Sequence, residues 1–292
     1  MSNLRDIKRR IKSVRNTSQI TKAMQMVASA KMRRAQELAL RGRVYVSAIA
    51  SVFRHLKESL NDVNVELMKT NPHGKTLCIV ISTDRGLCGA LNSNLLKELL
   101  TACPADADYI TIGSKLNTQL ARCGRQLKAS FSLGDSFDEA SLKPIMDFIR
   151  KGFVSGEYNS VSAIYQKFIN VMVQRPQISR LLPINPDELL SMAAAIENED
   201  ELNGDQPINY LLEPGPVALL NSLLPLYFTN MLTQMVLEGK ASEQSARMVA
   251  MKSATENAKT LIGELTLEYN KARQTQITNE LLEITTAMKA ME

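Results

Sequence analysis

The sequence predicts a two-part fold of class α/β plus a long antiparallel two-helix coiled coil. The chain's two ends form the coil, and a Rossmann-like, mainly parallel sheet fills the middle. Three observations carry this. Apolar and small residues recur at alternating steps of three and four near both ends. Short apolar runs alternate with helical patterns between them. The composition is 45% apolar but only 5% aromatic, with no Trp and 14 Met, which suits helix-on-helix packing better than a β-sandwich. At 292 residues the chain can bury a sizeable core in one or two domains.

The first helix is expected over residues 1–60. Leu4, Ile7, Ile11, Val14, Ser18, Thr21, Gln25, Ala28, Met32, Ala35 and Ala39 keep the three-four spacing unbroken. Gly42 is the only glycine before Gly74, and Pro72 is the first proline. This segment also concentrates the charge. Residues 1–43 hold twelve Lys and Arg against Asp6 and Glu37, a local +10, so with the whole chain at +5 the remainder sums to −5.

The middle, residues 75–185, reads as the α/β domain. Residues 77–81 (Leu-Cys-Ile-Val-Ile) form a continuous apolar run, the mark of a strand buried on both faces. Further strands are expected at 108–113, 126–131 and 160–168, with helices at 93–102, 114–122 and 142–153. An edge strand is expected at 178–184, its pairing limited by Pro176 and Pro183. Residues 181–205 carry seven acids and no Lys or Arg, so 186–209 is expected to be an exposed linker with one short helix at 187–196.

The last segment, 210–292, organises the rest. Past Pro225 it has no proline for 67 residues, and its only glycines there are Gly239 and Gly263. A helix of about 70 residues rises about 105 Å, far beyond what a globular domain needs. Its seam runs Met248, Met251, Thr255, Ala258, Ile262, Leu265, Tyr269, Ala272, with small members that let a partner helix approach closely. The seam then turns polar at Gln276 and Asn279, and an apolar stripe restarts one position along, at Ile277, Leu281, Ile284 and Met288. A contact face that shifts near the helix end predicts two partners, one along the length and one at the tip.

Three chemistries compete for these features. Asp84-Arg85-Gly86-Leu87-Cys88-Gly89 follows a strand and precedes a helix, where α/β folds bind ligands, yet it matches neither common phosphate-binding spacing. A structural turn outweighs a nucleotide site there by roughly four to one, because lone glycine motifs are weak signals. The basic helix could meet nucleic acid, but its charge is threaded through a seam committed to a partner helix, with no aromatic platform beside it. A membrane-surface helix would need a broader apolar face. Four cysteines without CxxC spacing and two histidines predict reduced thiols, no metal and no cofactor. With no paired carboxylates and no triad, no catalytic residue is expected. The chain shows no apolar run of about 18 residues and no apolar signal core, so neither a membrane span nor export is expected.

Four stretches carry a family resemblance: LRDIKRRIKSVRNTSQITKAMQMVASAKMRRAQ, STDRGLCGALNSNL, ASEQSARMVAMKSATENAK and LEYNKARQTQITNELLEI. Together they resemble the gamma subunit of rotary ATP synthases, the central stalk, over nearly the whole chain. The resemblance implies a non-catalytic rotor that turns inside a ring of alpha and beta subunits. Its base would attach to the epsilon subunit and the membrane c-ring, as a peripheral protein on the cytoplasmic face of a bacterial cell membrane. It further implies that Arg273 and Gln274 catch a beta-subunit loop, and that Ile277, Leu281, Ile284 and Met288 turn in an apolar bearing. Lys8, Arg9, Arg33 and Arg34 would meet the acidic lever of the beta subunit, and Glu213 would lie on the loop facing the c-ring. Ala287-Met288 stand where the family often has Gly-Ala, giving a bulkier tip, and Leu212-Glu213-Pro214 stands where relatives often have Tyr-Glu-Pro. The dithiol insert of chloroplast members is absent, so the resemblance implies no redox regulation. The competing class is a coiled-coil adaptor with a nucleotide-sensing α/β domain, which nucleotide binding by the isolated chain would reveal.

Overall fold

The computed structural model describes residues 4–55, 65–69, 71–134, 139–185 and 215–291. The expected linker, its short helix and Glu213 lie outside these residues. In chain order the helices are α1 (Leu4–His55), α2 (Leu91–Ala102), α3 (Asn117–Arg122), α4 (Lys143–Val154) and α5 (Pro216–Ala290). The strands are β1 (Lys75–Ile81), β2 (Asp108–Ile112), β3 (Gln126–Phe131), β4 (Tyr158–Phe168) and β5 (Gln174–Leu182). Two compact units emerge: Met1–Ser29 with Arg247–Glu292, and Ala30–Ala246.

In the larger unit the strand order is β3-β2-β1-β4-β5, all parallel except the antiparallel edge strand β5. The continuous apolar run of β1 explains its central place. Because successive side chains point to opposite faces, Leu77, Ile79 and Ile81 join one core and Cys78 and Val80 the other. The first core is filled by Ile145, Ile149 and Phe153 of α4 and by Leu220, Leu224, Phe228, Leu232 and Val236 of α5. The second is filled by Leu95 and Leu99 of α2 and Leu120 of α3. Burying the five residues 77–81, none more than 5% exposed, contributes on the order of 1.5–3 kcal/mol per large side chain.

Several boundaries shift by one or more residues from expectation, and three of the shifts have a local reason. The helix expected from residue 114 starts at Asn117, because Gly113 takes φ 104 and turns the chain first. A Cβ at Gly113 would lie 2.3 Å from the Ser82 carbonyl oxygen, so only glycine fits there. Strand β5 starts at Gln174 and runs through Pro176, which pairs with Gln166. An edge strand tolerates a proline because it has a side without a neighbour. Finally, α5 begins at Pro216 and passes through Pro225, whose missing N–H leaves one helical bond unmade.

All four cysteines are free thiols. A hydrogen bond with Cys103 and burial push the Cys78 thiol well above its ordinary range. Only Cys123 is exposed, whereas Cys78, Cys88 and Cys103 are buried. A thiol-reactive chromophore should therefore label Cys123 fast in the native chain and reach the other three only on unfolding. Fast labelling of a second cysteine under native conditions would contradict this packing.

Candidate functional site: the coil and the free end of its longer helix

In the smaller unit, one contact sets the register of the coil. The hydroxyls of Thr21 and Thr255 meet across it at 2.7 Å. Each hydroxyl also lies within bonding distance of a carbonyl of its own helix, Thr255 of Met251 at 2.8 Å and Thr21 of Ser18 at 3.1 Å, so either can donate across the seam. Counting outward from this pair in opposite directions places Ser18 opposite Ala258, Ile11 opposite Leu265, Ile7 opposite Tyr269 and Leu4 opposite Ala272. Burial follows this alternation: Ile7, Ala28, Met251, Thr255, Ala258 and Leu265 are buried, and the residues between them largely face outward. The spacing read from the sequence is the spacing of the packed face.

Leu4, the first described residue of α1, stands opposite Ala272, and from Arg273 onward no described residue of α1 faces the helix. From Arg273 to Met291 every residue is exposed, although the helix continues to Ala290. Local bonds hold this end helical. Thr275, Thr278 and Thr285 each donate to a carbonyl four residues back, and Gln276 Nε2 donates to Glu280 Oε1 at 2.8 Å. Ile277, Leu281, Ile284 and Met288 are 49%, 58%, 57% and 63% exposed and follow helical steps of four, three and four. An apolar stripe this open in water is the surface of an element that expects a partner. Arg273 and Gln274 sit at its root, both exposed, and among the described residues Arg273 has no ion pair.

The basic residues divide between the units. Lys8 and Arg9 are exposed on the coil, with Arg9 paired to Asp6 at 2.8 Å in water, worth only about 0–1 kcal/mol. Arg33 and Arg34 belong to the larger unit and are exposed there. Arg34 lines a cavity of about 250 Å³ at the carboxyl ends of β1 and β2, together with Lys31, Lys240, Asp84 and Glu243. No sequence pattern announced Lys31 and Lys240 at this place, because the cavity joins segments far apart in the chain. The neighbouring loop is held from two other strand ends: Asp84 Oδ1 accepts from the Ser114 N–H at 3.2 Å and the Ser132 hydroxyl at 3.0 Å. Asp84 thereby ties the loop after β1 to the residues that follow β2 and β3. Its Leu87 is exposed at φ 64, a strained conformation for a branched side chain.

Among the described residues, no helix is long and apolar enough to cross a membrane. The family model described as ATP synthase matches residues 3–291. The ATP synthase gamma chain of Akkermansia muciniphila is 57% identical over the full length of both chains. That of Methylacidiphilum infernorum is 41% identical over the full length of both. Among solved structures, a chain of the Euglena gracilis mitochondrial ATP synthase OSCP/F1/c-ring assembly superposes with a TM-score of 0.67 at 21% identity, covering 99% of this chain and 94% of that one, which speaks for the fold alone. A chain from the Tetrahymena thermophila central stalk and c-ring gives 0.58 at 26% identity, covering 80% of this chain and 99% of that one. By length, pattern and similarity, the chain belongs to the ATP synthase family and, within it, to the gamma chains.

Proposed function

We propose that this chain is the rotor of a rotary ATP synthase, coupling ion flow through a membrane c-ring to ATP synthesis and hydrolysis in a ring of alpha and beta subunits. By itself it is non-catalytic. Its α/β part, 75–185, docks on the epsilon subunit and the c-ring, with Glu213 on the ring side. The helices 1–60 and 210–292 form the shaft, and 186–209 links them to the base. The protein is peripheral, on the cytoplasmic face of the membrane. The observation that carries this reading is the overhang from Arg273 onward, a stiff helix bearing an apolar stripe with no seam partner among the described residues.

The physics of a rotor suits these features. Two helices zipped along one seam resist bending and twisting better than one alone. A coil lacking three-fold symmetry presents a different face to each beta subunit. The basic segment attracts acidic loops at long range, while its low apolar content keeps any one angle from becoming a trap. Lys8, Arg9, Arg33 and Arg34 meet the beta-subunit lever, Arg273 and Gln274 form a catch, and Ile277, Leu281, Ile284 and Met288 run in the bearing. The test is amide exchange of residues 277–290. Exchange should be fast in the isolated chain and slow by an order of magnitude or more in the assembled complex. Slow exchange in the isolated chain, or equal rates in both, would remove the tip from the bearing.

A further inference from the structure

The stretch ASEQSARMV contains two serines, Ser242 and Ser245, that are 0% exposed and three residues apart, on one face of α5. A serine or threonine inside a helix ordinarily donates to the carbonyl four residues back. Many others on α5 do so: Ser222 to Ala218, Thr229 to Pro225, Thr255 to Met251, Thr260 to Glu256 and Thr266 to Ile262. Ser242 and Ser245 do otherwise. The Ser242 hydroxyl donates to the Gln166 carbonyl of β4 at 2.9 Å, and that of Ser245 to the Val171 carbonyl in the β4–β5 turn at 2.7 Å.

The receiving side is built for them. Asn170 Oδ1 accepts the N–H groups of Met172 and Val173 at 2.9 and 2.8 Å, which fixes the turn. Gln174 Nε2 donates to the same Val171 carbonyl at 3.0 Å and reaches the Ser245 oxygen at 3.5 Å. Gln166, itself 2% exposed, sends its side-chain amide to the Leu91 carbonyl at 2.9 Å, at the start of α2. One residue of the central sheet thus ties α5 on one side and the loop–helix junction after β1 on the other.

We infer that Ser242 and Ser245 are positioning residues that clasp α5 to the β4–β5 hairpin and set the torsional stiffness with which the α/β sheet drives the long helix; this rests on the rotor reading. Apolar packing resists slides and rotations through shape alone, because dispersion is not directional. Two directional hydrogen bonds, one turn apart, oppose both motions at once. Side-chain contacts are one route by which torque delivered to the sheet enters α5, and these two attachments resist turning of the helix against the hairpin.

The test has two arms. In the assembled complex, with a probe on the α/β part and the alpha/beta ring immobilised, S242A/S245A should give about twofold larger angular variance at rest than the parent, since two directional bonds are lost. Unloaded ATP hydrolysis should be unchanged, and ATP synthesis against a limiting ion gradient reduced. S222A, which removes a hydroxyl bonded only within the helix, should change neither, and single S245A should fall between if the double variant assembles poorly. In the isolated chain, spin labels at Met172→Cys and Leu226→Cys in a Cys123→Ser background should show a broader distance distribution once both hydroxyls are gone. Unchanged variance with unchanged label distributions overturns the clasp, as does equal softening by S222A. A parent complex that fails to rotate with ATP overturns the rotor reading; broadened label distributions in the isolated chain would then leave the clasp standing as a mechanical joint alone.

Discussion

Ala258→Trp should unzip the coil locally and lower its melting temperature, while Ser253→Trp, five residues before it on the same helix, should leave the melting temperature nearly unchanged. Ala258 is 8% exposed and, by the register that Thr21 and Thr255 set, stands opposite Ser18. Neither position carries more than one side-chain heavy atom beyond Cβ, so the two backbones run close together at this level. An indole cannot fit without pushing them apart, and overpacking of this kind costs about 1–3 kcal/mol, more where the surroundings cannot yield. Ser253 is exposed, and surface substitutions of its type usually stay within about 0.5 kcal/mol. Thermal unfolding of the isolated chain, followed by the helical circular dichroism signal, separates the two. Equal losses at both sites would break the assigned register. A complex assembled with the Ala258 variant should also transmit torque poorly, because splayed helices no longer share bending loads.

The parts of the structure that could be read from the sequence are those whose information is local. The three-four spacing marks the seam because an α-helix brings those positions to one face whatever lies around it. The run 77–81 marks a strand because five apolar residues in a row leave no solvated face. The stripe restarting at Ile277 marks the overhang because polar Gln276 and Asn279 interrupt the seam without a helix breaker. What escaped depends on residues distant in the chain. Ser242 and Ser245 read as ordinary helical serines until β4 is known to lie against them. The cavity of Arg34, Lys31 and Lys240 is assembled from both long helices and the strand ends. The edge strand itself is expected from the sequence, but its start before Pro176 depends on pairing with Lys167 and Phe168 of the neighbouring strand β4. The delayed start of α3 hangs on the close approach of Gly113 to Ser82, a contact with no signature in the neighbouring residues.

Arg273→Glu should reduce both ATP hydrolysis and ATP synthesis by the assembled complex by about ten- to a hundredfold while leaving the isolated chain folded; a catch bond worth about 1.5–3 kcal/mol, at about 1.4 kcal/mol per factor of ten, sets that scale. The side chain is exposed where the seam ends and, among the described residues, engages in no ion pair, so folding does not depend on it. Its guanidinium offers five donors in a fixed fork suited to a carboxylate or a pair of carbonyls, and Gln274 beside it can donate and accept. A contact of this strength holds one rotor angle long enough to bias it and still releases within a turnover. Glutamate inverts the charge, turning a catch into a repulsion against the same loop. Arg122→Glu makes the same change at an exposed end of α3 in the α/β part and should alter either activity by no more than about twofold, the usual scale for a surface charge. The measurement is steady-state hydrolysis and ion-driven synthesis of complexes shown by subunit stoichiometry to be fully assembled. If Arg273→Glu assembles normally and both activities match the parent, the catch is not at Arg273, and coupling must be sought along the basic face of α1.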